Sequence, residues 1–151
     1  MTNFPMLKTF IWYPKGLGEA LDFYQDIFKE NMTIHSKSHL DENEIFTADF
    51  EIFGQEMIGM GVEGGPGFSE AISLHVICDG QEQVDYYWEA LSADGGEKGQ
   101  CGWLKDKFGV SWQVTPIQMR QFLGHLNPET AQKNMAALRS MRKIVLAEFS
   151  N

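Results

Sequence analysis

Four histidines, two cysteines and one glycine-rich run are where chemistry could start in this 151-residue chain. His75 lies in the alternating stretch Ala71-Ile-Ser-Leu-His-Val-Ile-Cys78, which predicts a strand with Ala71, Ser73 and His75 on one face. An imidazole there could line a cavity, move a proton near neutral pH or ligate a metal. Ligation needs companions, and His35, His39 and His125 are not placed to supply them. Cys101, ahead of Gly102-Trp103, would be a nucleophile only with an electropositive pocket and a base, and no base stands beside it in the sequence. The plainer reading of Cys101, and of Cys78 at its strand end, is a small packed side chain. No catalytic set emerges.

Gly59-Met-Gly61-Val-Glu-Gly64 spells G-x-G-x-x-G, with Asp79 further on, as a dinucleotide or methyl-donor site would have it. That pattern works when its glycines open a helix whose N-terminus faces the cofactor. Here Gly65-Pro66-Gly67 follows, and then a strand, so the run reads as a linker and no cofactor is expected.

The elements that must position these residues are legible from periodicity. Lys8 to Tyr13 is aromatic and β-branched and stops at Pro14, as a strand does; Leu17, Ala20, Leu21, Tyr24, Ile27 and Phe28 then form the apolar stripe of a helix over about 18–29. Strands are expected at about 33–39, 45–53 and 56–60, the last two joined by a turn at Phe53-Gly54. After Gly61–Gly67 the order restarts, with a strand at 71–78 and a helix at about 81–93 carrying Val84, Tyr87, Trp88 and Leu91 on one stripe. Glu19–Phe28 lines up without gaps on Glu82–Leu91 at an offset of 63, and Phe53-Gly54 with Met57 lines up on Phe108-Gly109 with Trp112 at an offset of 55. The second copy has therefore lost about eight residues between its helix and its last hairpin. One β-α-β-β-β unit cannot bury both its helix stripe and a sheet face, whereas two can share a core. Asn127 as N-cap and Pro128 at the first helical position open a final helix with Ala131, Met135, Leu138 and Met141 on one face. Such a tail needs a surface to cover, on its own domain or on a second subunit.

A net charge of -9 and a pI near 4.8 argue against nucleic acid and acidic membrane surfaces, which are bound through clustered Lys and Arg. With no CxxC pair, neither a disulfide framework nor a structural zinc site is indicated. The chain reads as one cytoplasmic α+β domain: module one about 6–60, linker 61–69, module two about 70–116 and helical tail 117–151.

The run Gln100-Cys-Gly-Trp-Leu-Lys-Asp-Lys-Phe-Gly-Val-Ser-Trp-Gln-Val-Thr-Pro116, with Glu70-Ala-Ile-Ser73, Tyr87-Trp-Glu-Ala-Leu91 and the widespread Asp22-Phe-Tyr24 element, resembles the PhnB-like branch of the vicinal-oxygen-chelate superfamily. The resemblance spans nearly the whole chain. It implies paired β-α-β-β-β modules, a cupped mixed sheet and a homodimer. The branch is often labelled as a demethylubiquinone methyltransferase, and fold alone does not choose among the superfamily's glyoxalases, dioxygenases, thiol transferases and binding proteins.

The resemblance also implies where a divalent metal would be held, on the first strand of each module and on the last strand. Those positions fall on Thr9, near Ala71 and on Gln113, a set with no imidazole or carboxylate, so no metal is expected. The expected cavity residues are Thr9, Ile11, Ser73, His75, Trp103 and Gln113, around a small organic molecule. Two rivals stand beside this reading: a metal-dependent lyase, isomerase or dioxygenase using His75 and Gln113 with a further ligand, and an interaction module whose cavity is filled.

Overall fold

The computed structural model describes residues 7–151, so the expected module start at residue 6 lies outside the described residues. The chain divides after Gly67 into two compact units. Unit one runs β1 (Thr9–Tyr13), α1 (Leu17–Phe28), β2 (Met32–His39), β3 (Ile45–Ile52) and β4 (Gln55–Gly61). Its sheet order is β1-β4-β3-β2, with β1 parallel to β4 and the other pairs antiparallel. All six residues of the predicted α1 stripe are buried, each large one stabilising the unit by roughly 1.5–3 kcal/mol through removal from water. Phe53 and Gly54 both take positive φ, the two-residue turn that matches the twist of a hairpin.

Unit two repeats the plan: β5 (Leu74–Cys78), α2 (Gln81–Leu91), β6 (Glu97–Lys98), β7 (Trp103–Lys105) and β8 (Ser111–Pro116), in sheet order β5-β8-β7-β6 with β5 parallel to β8. Val84, Tyr87, Trp88 and Leu91 are the buried stripe of α2, as their spacing predicts. The fold is α+β in two like modules. One strand is shorter than its sequence pattern suggests: β5 begins at Leu74, and Ala71, Ile72 and Ser73 lie outside it. Leu74 already pairs with Trp112, one residue into β8, so nothing in β8 extends far enough to hold Ala71 in a ladder. The lost residues fall on the second and third strands of the module, eight residues each in β2 and β3 but two in β6 and three in β7.

The tail consists of α3 (Met119–Leu123), α4 (Pro128–Ser140) and an apolar end. Asn127 caps α4 by accepting hydrogen bonds from Glu129 N and Thr130 N, with Pro128 in the first turn. The tail covers its own unit. Gln81 Nε2 donates to Ile144 O, Leu146 N donates to Gln81 Oε1, and Ile144 is fully buried. Within α4 the buried residue is Asn134, and Ala131, Met135 and Leu138 of the expected apolar face are half-buried around it. Asn134 donates to Phe122 O and Ser150 O and accepts from Ser150 N, which lets an amide sit in the interior at little cost.

Candidate functional site

Each sheet has a face covered by its helix and an open face. In unit one the helix face is marked by Gly59 and Gly61, where an added Cβ would lie 2.7 Å and 2.9 Å from Leu17 atoms. Parallel pairing puts Thr9, Ile11 and Tyr13 beside Met57, Gly59 and Gly61, hence on that same covered face. This corrects the expected cavity placement of Thr9 and Ile11: Ile11 is core, and the open-face residues of β1 are Phe10 and Trp12. The error is a one-residue slip, which in a strand exchanges every inward side chain for an outward one.

In unit two the open face is polar. His75 and Ile77 alternate with the buried Val76 and Cys78, and His75 pairs in register with Gln113. Gln113 in turn pairs with Trp103 of β7. His75 Nε2 lies 2.6 Å from Thr115 Oγ1, and Gln113 Nε2 donates to Ser73 Oγ at 2.8 Å. Partial burial pushes the His75 imidazole below its usual value, favouring the neutral ring. The structure thus brings together Ser73, His75, Trp103 and Gln113. The Cys78 thiol is buried and its pKa is pushed up to about 12, which removes it from reactive chemistry.

Along the same face towards the short strands, a cleft of about 430 Å³ is lined by Trp103, Lys105, Ser111, Glu70 and the 97–101 segment. Lys105 pairs with Ser111 in the ladder and its Nζ lies 2.7 Å from Glu70 Oε1. That hydrogen bond holds the ammonium above its usual pKa. Ser111 is 3% exposed, and its Oγ is buried without a hydrogen-bond partner. Beside it, Asp106 shapes the β7–β8 turn: Oδ1 accepts from Phe108 N and Val110 N, and Oδ2 accepts from the Trp112 indole. Sequence reasoning missed Glu70, Lys105, Ser111 and Asp106. Alternation in Trp103-Leu-Lys105 and Ser111-Trp-Gln113 could have found Lys105 and Ser111, had the hairpin register been known.

Among the described residues no group of three or more His, Cys, Asp or Glu side chains is arranged to hold an ion. On the open faces the first-strand and last-strand positions read Phe10 with Ile58, and His75 with Gln113, so one imidazole stands without a carboxylate. A methyl donor fares no better at the G-x-G-x-x-G run. Gly59 and Gly61 lie in β4, packed under Leu17, and Gly64 sits in a positive-φ turn that leads to no helix. Gly59 is therefore a packing residue of the strand expected at about 56–60, and Gly61 closes that strand where the sequence suggests a linker begins. Among the described residues no helix is long and apolar enough to cross a membrane.

Two modules of parallel-paired first and last strands, each with one helix across a face, define the vicinal-oxygen-chelate architecture. Residues 5–115 match the family model described as 3-demethylubiquinone-9 3-methyltransferase. The chain is 30% identical to a Bacillus cereus protein described as a putative 3-demethylubiquinone-9 3-methyltransferase, PhnB protein, over 74% of this chain and 99% of that one, with a TM-score of 0.61. It belongs to that PhnB-like family. A Pseudomonas aeruginosa protein shares the fold at 17% identity, covering 75% of this chain and 98% of its own, with a TM-score of 0.60. The genomically encoded fosfomycin resistance protein of Listeria monocytogenes, solved with Mn(II) and sulfate, shares it at 21% identity over 80% and 98% of the two chains, with a TM-score of 0.51. No curated protein matches the chain.

Proposed function

We propose that this chain binds a small organic molecule on the open face of the second sheet, in the cleft between Trp103, Lys105 and Ser111, and does so without a catalytic metal. The observation that carries the reading is the cleft's lining, where the Trp103 indole, the Lys105–Glu70 ion pair and Ser111 come together along the short strands. The volume falls in the range of small-molecule sites, and an indole beside a lysine–carboxylate pair offers a flat apolar floor with a polar edge. His75, Gln113, Ser73 and Thr115 extend the polar face, and their hydrogen bonds to one another fix them in place.

The relatives suggest two other activities. A methyltransferase, as the family description has it, would need a methyl-donor site, and the glycine run that best imitates one is occupied by packing against Leu17. A metal-dependent enzyme, as the Mn(II)-bound Listeria protein suggests, would need more donors than His75 supplies. Homodimerisation remains part of the proposal on the family resemblance alone, since the tail is already covered by its own unit; sedimentation equilibrium checks it.

The test uses the fluorescent anion 8-anilinonaphthalene-1-sulfonate as a probe of the cleft, with Trp103→Ala and Ser111→Ala. Saturable binding that weakens in both variants is expected. Binding indifferent to both would sink the reading. Elemental analysis of untagged protein should find no stoichiometric ion; one ion per chain, lost in His75→Ala, would instead establish the metalloenzyme. Tight S-adenosylmethionine binding that Gly61→Val abolishes would establish the methyltransferase.

A further inference from the structure

We infer that the C-terminal tail is a strap that holds one wall of the cleft and thereby sets which ligands it accepts, with Arg142 as its positioning residue; the inference rests on the cleft being the ligand site. The cleft has a floor and a wall of different origin. Its floor, Trp103, Lys105 and Ser111, belongs to strands β7 and β8. Its wall includes Lys98, Gly99, Gln100 and Cys101, and three of these four are tied to the tail. Arg142 donates from Nε to Gly99 O at 3.4 Å and from its terminal guanidinium nitrogen to Lys98 O. Cys101 N donates to Met141 O at 2.9 Å, and Cys101 Sγ lies 3.5 Å from Leu138 O. Gly102 N donates to Arg142 O at 2.8 Å.

The loop has little freedom of its own. Cys101 and Gly102 both take positive φ, and Gly102 is wedged so tightly that a Cβ would meet Val114 O at 2.7 Å and Ile144 Cγ1 at 3.2 Å. One of those neighbours is strand β8 and the other is the tail. Residues 138–144 lie beyond the family match, which stops at residue 115, and the Bacillus cereus protein accounts for only 74% of this chain although 99% of it is aligned. The floor is therefore made by residues shared with the family, whereas the wall is held by residues outside the match. A loop with several carbonyls and amides satisfied by a neighbouring segment takes its shape from that segment. A ligand preference set there would be particular to chains carrying such a tail.

The test reads the wall and the ligand separately. Cys101 reports on the wall through its alkylation rate by iodoacetamide, because Cys78 is buried and does not compete. Losing the guanidinium bonds should raise that rate about fivefold in Arg142→Ala, and Arg142→Lys should restore part of the protection. Anilinonaphthalene sulfonate should bind Arg142→Ala more weakly than the parent. An unchanged alkylation rate in a variant that melts like the parent would overturn the strap. Faster alkylation with unchanged dye binding, while Trp103→Ala still weakens the dye, would overturn its part in ligand choice and leave the site standing. Dye binding indifferent to Trp103→Ala would instead remove the site, and the inference with it. Should Arg142→Ala not fold, hydrogen exchange in the parent decides: Cys101 and Gly102 amides as slow as Ser150 N support the strap, and amides as fast as exposed loops overturn it.

Discussion

His75 stands exposed on the sheet face with its ring bonded to the Thr115 hydroxyl, and the part of its hydration that folding removes disfavours the charged ring. Its folded pKa lies below the usual 6.5 because desolvation disfavours the imidazolium. The unfolded chain therefore binds the proton more readily, so the contribution of His75 to stability is complete above the unfolded value and declines as pH falls through the window below it. A nuclear magnetic resonance titration should place its midpoint under 6.5, and His75→Gln should lessen the loss of stability between neutral and mildly acid pH. A midpoint above that value would mean that the ring is stabilised as a cation. At this scale the sequence was a partial guide. Ser73, His75, Trp103 and Gln113 could be placed together by alternation and family pattern, but Thr9 and Ile11 could not, because nothing local in Lys8–Tyr13 says which of two faces the helix will cover.

The β7–β8 hairpin depends on Asp106, whose carboxylate collects two backbone amides and one indole while only 3% exposed. Asp106→Ala would strand those buried donors and should cost about 3 kcal/mol or more in urea unfolding, with Asp106→Asn losing less. A loss under about 1 kcal/mol would show that water replaces the carboxylate. In β4 the two strand glycines should differ. At Gly59 the crowding atom is the flexible end of Leu17, whereas at Gly61 it is the Ile45 carbonyl and the Leu17 Cβ, neither of which can swing aside. Gly61→Ala should therefore destabilise by about 1–3 kcal/mol and Gly59→Ala by less, an order that equilibrium denaturation can read. Both helices and the long strands were legible because their stripes run for several turns or pleats. The short strands β6 and β7 were not, since two or three residues carry too little periodicity to read.

Across the whole chain, the repeat was legible from ten aligned positions in the two helices, and the structure gives those residues the same place in each unit. Between the units, residues 62–73 carry no helix or strand and are mostly exposed. A glutamate-specific protease should cut first at Glu63 or Glu70, before any site in α1 or α2; early cleavage inside a helix would mean that the helix opens more readily than the connection.

The eight residues missing from the second copy are also what separates the two copies in character. Where unit one has the two long strands β2 and β3, unit two has two stubs, and the cleft lies against those stubs. The two units thus differ most in strand length at the place where the cleft lies. It follows that a substitution in the long strands of unit one bears first on whether its sheet folds, whereas one along the short strands of unit two also changes the shape of the hollow beside them.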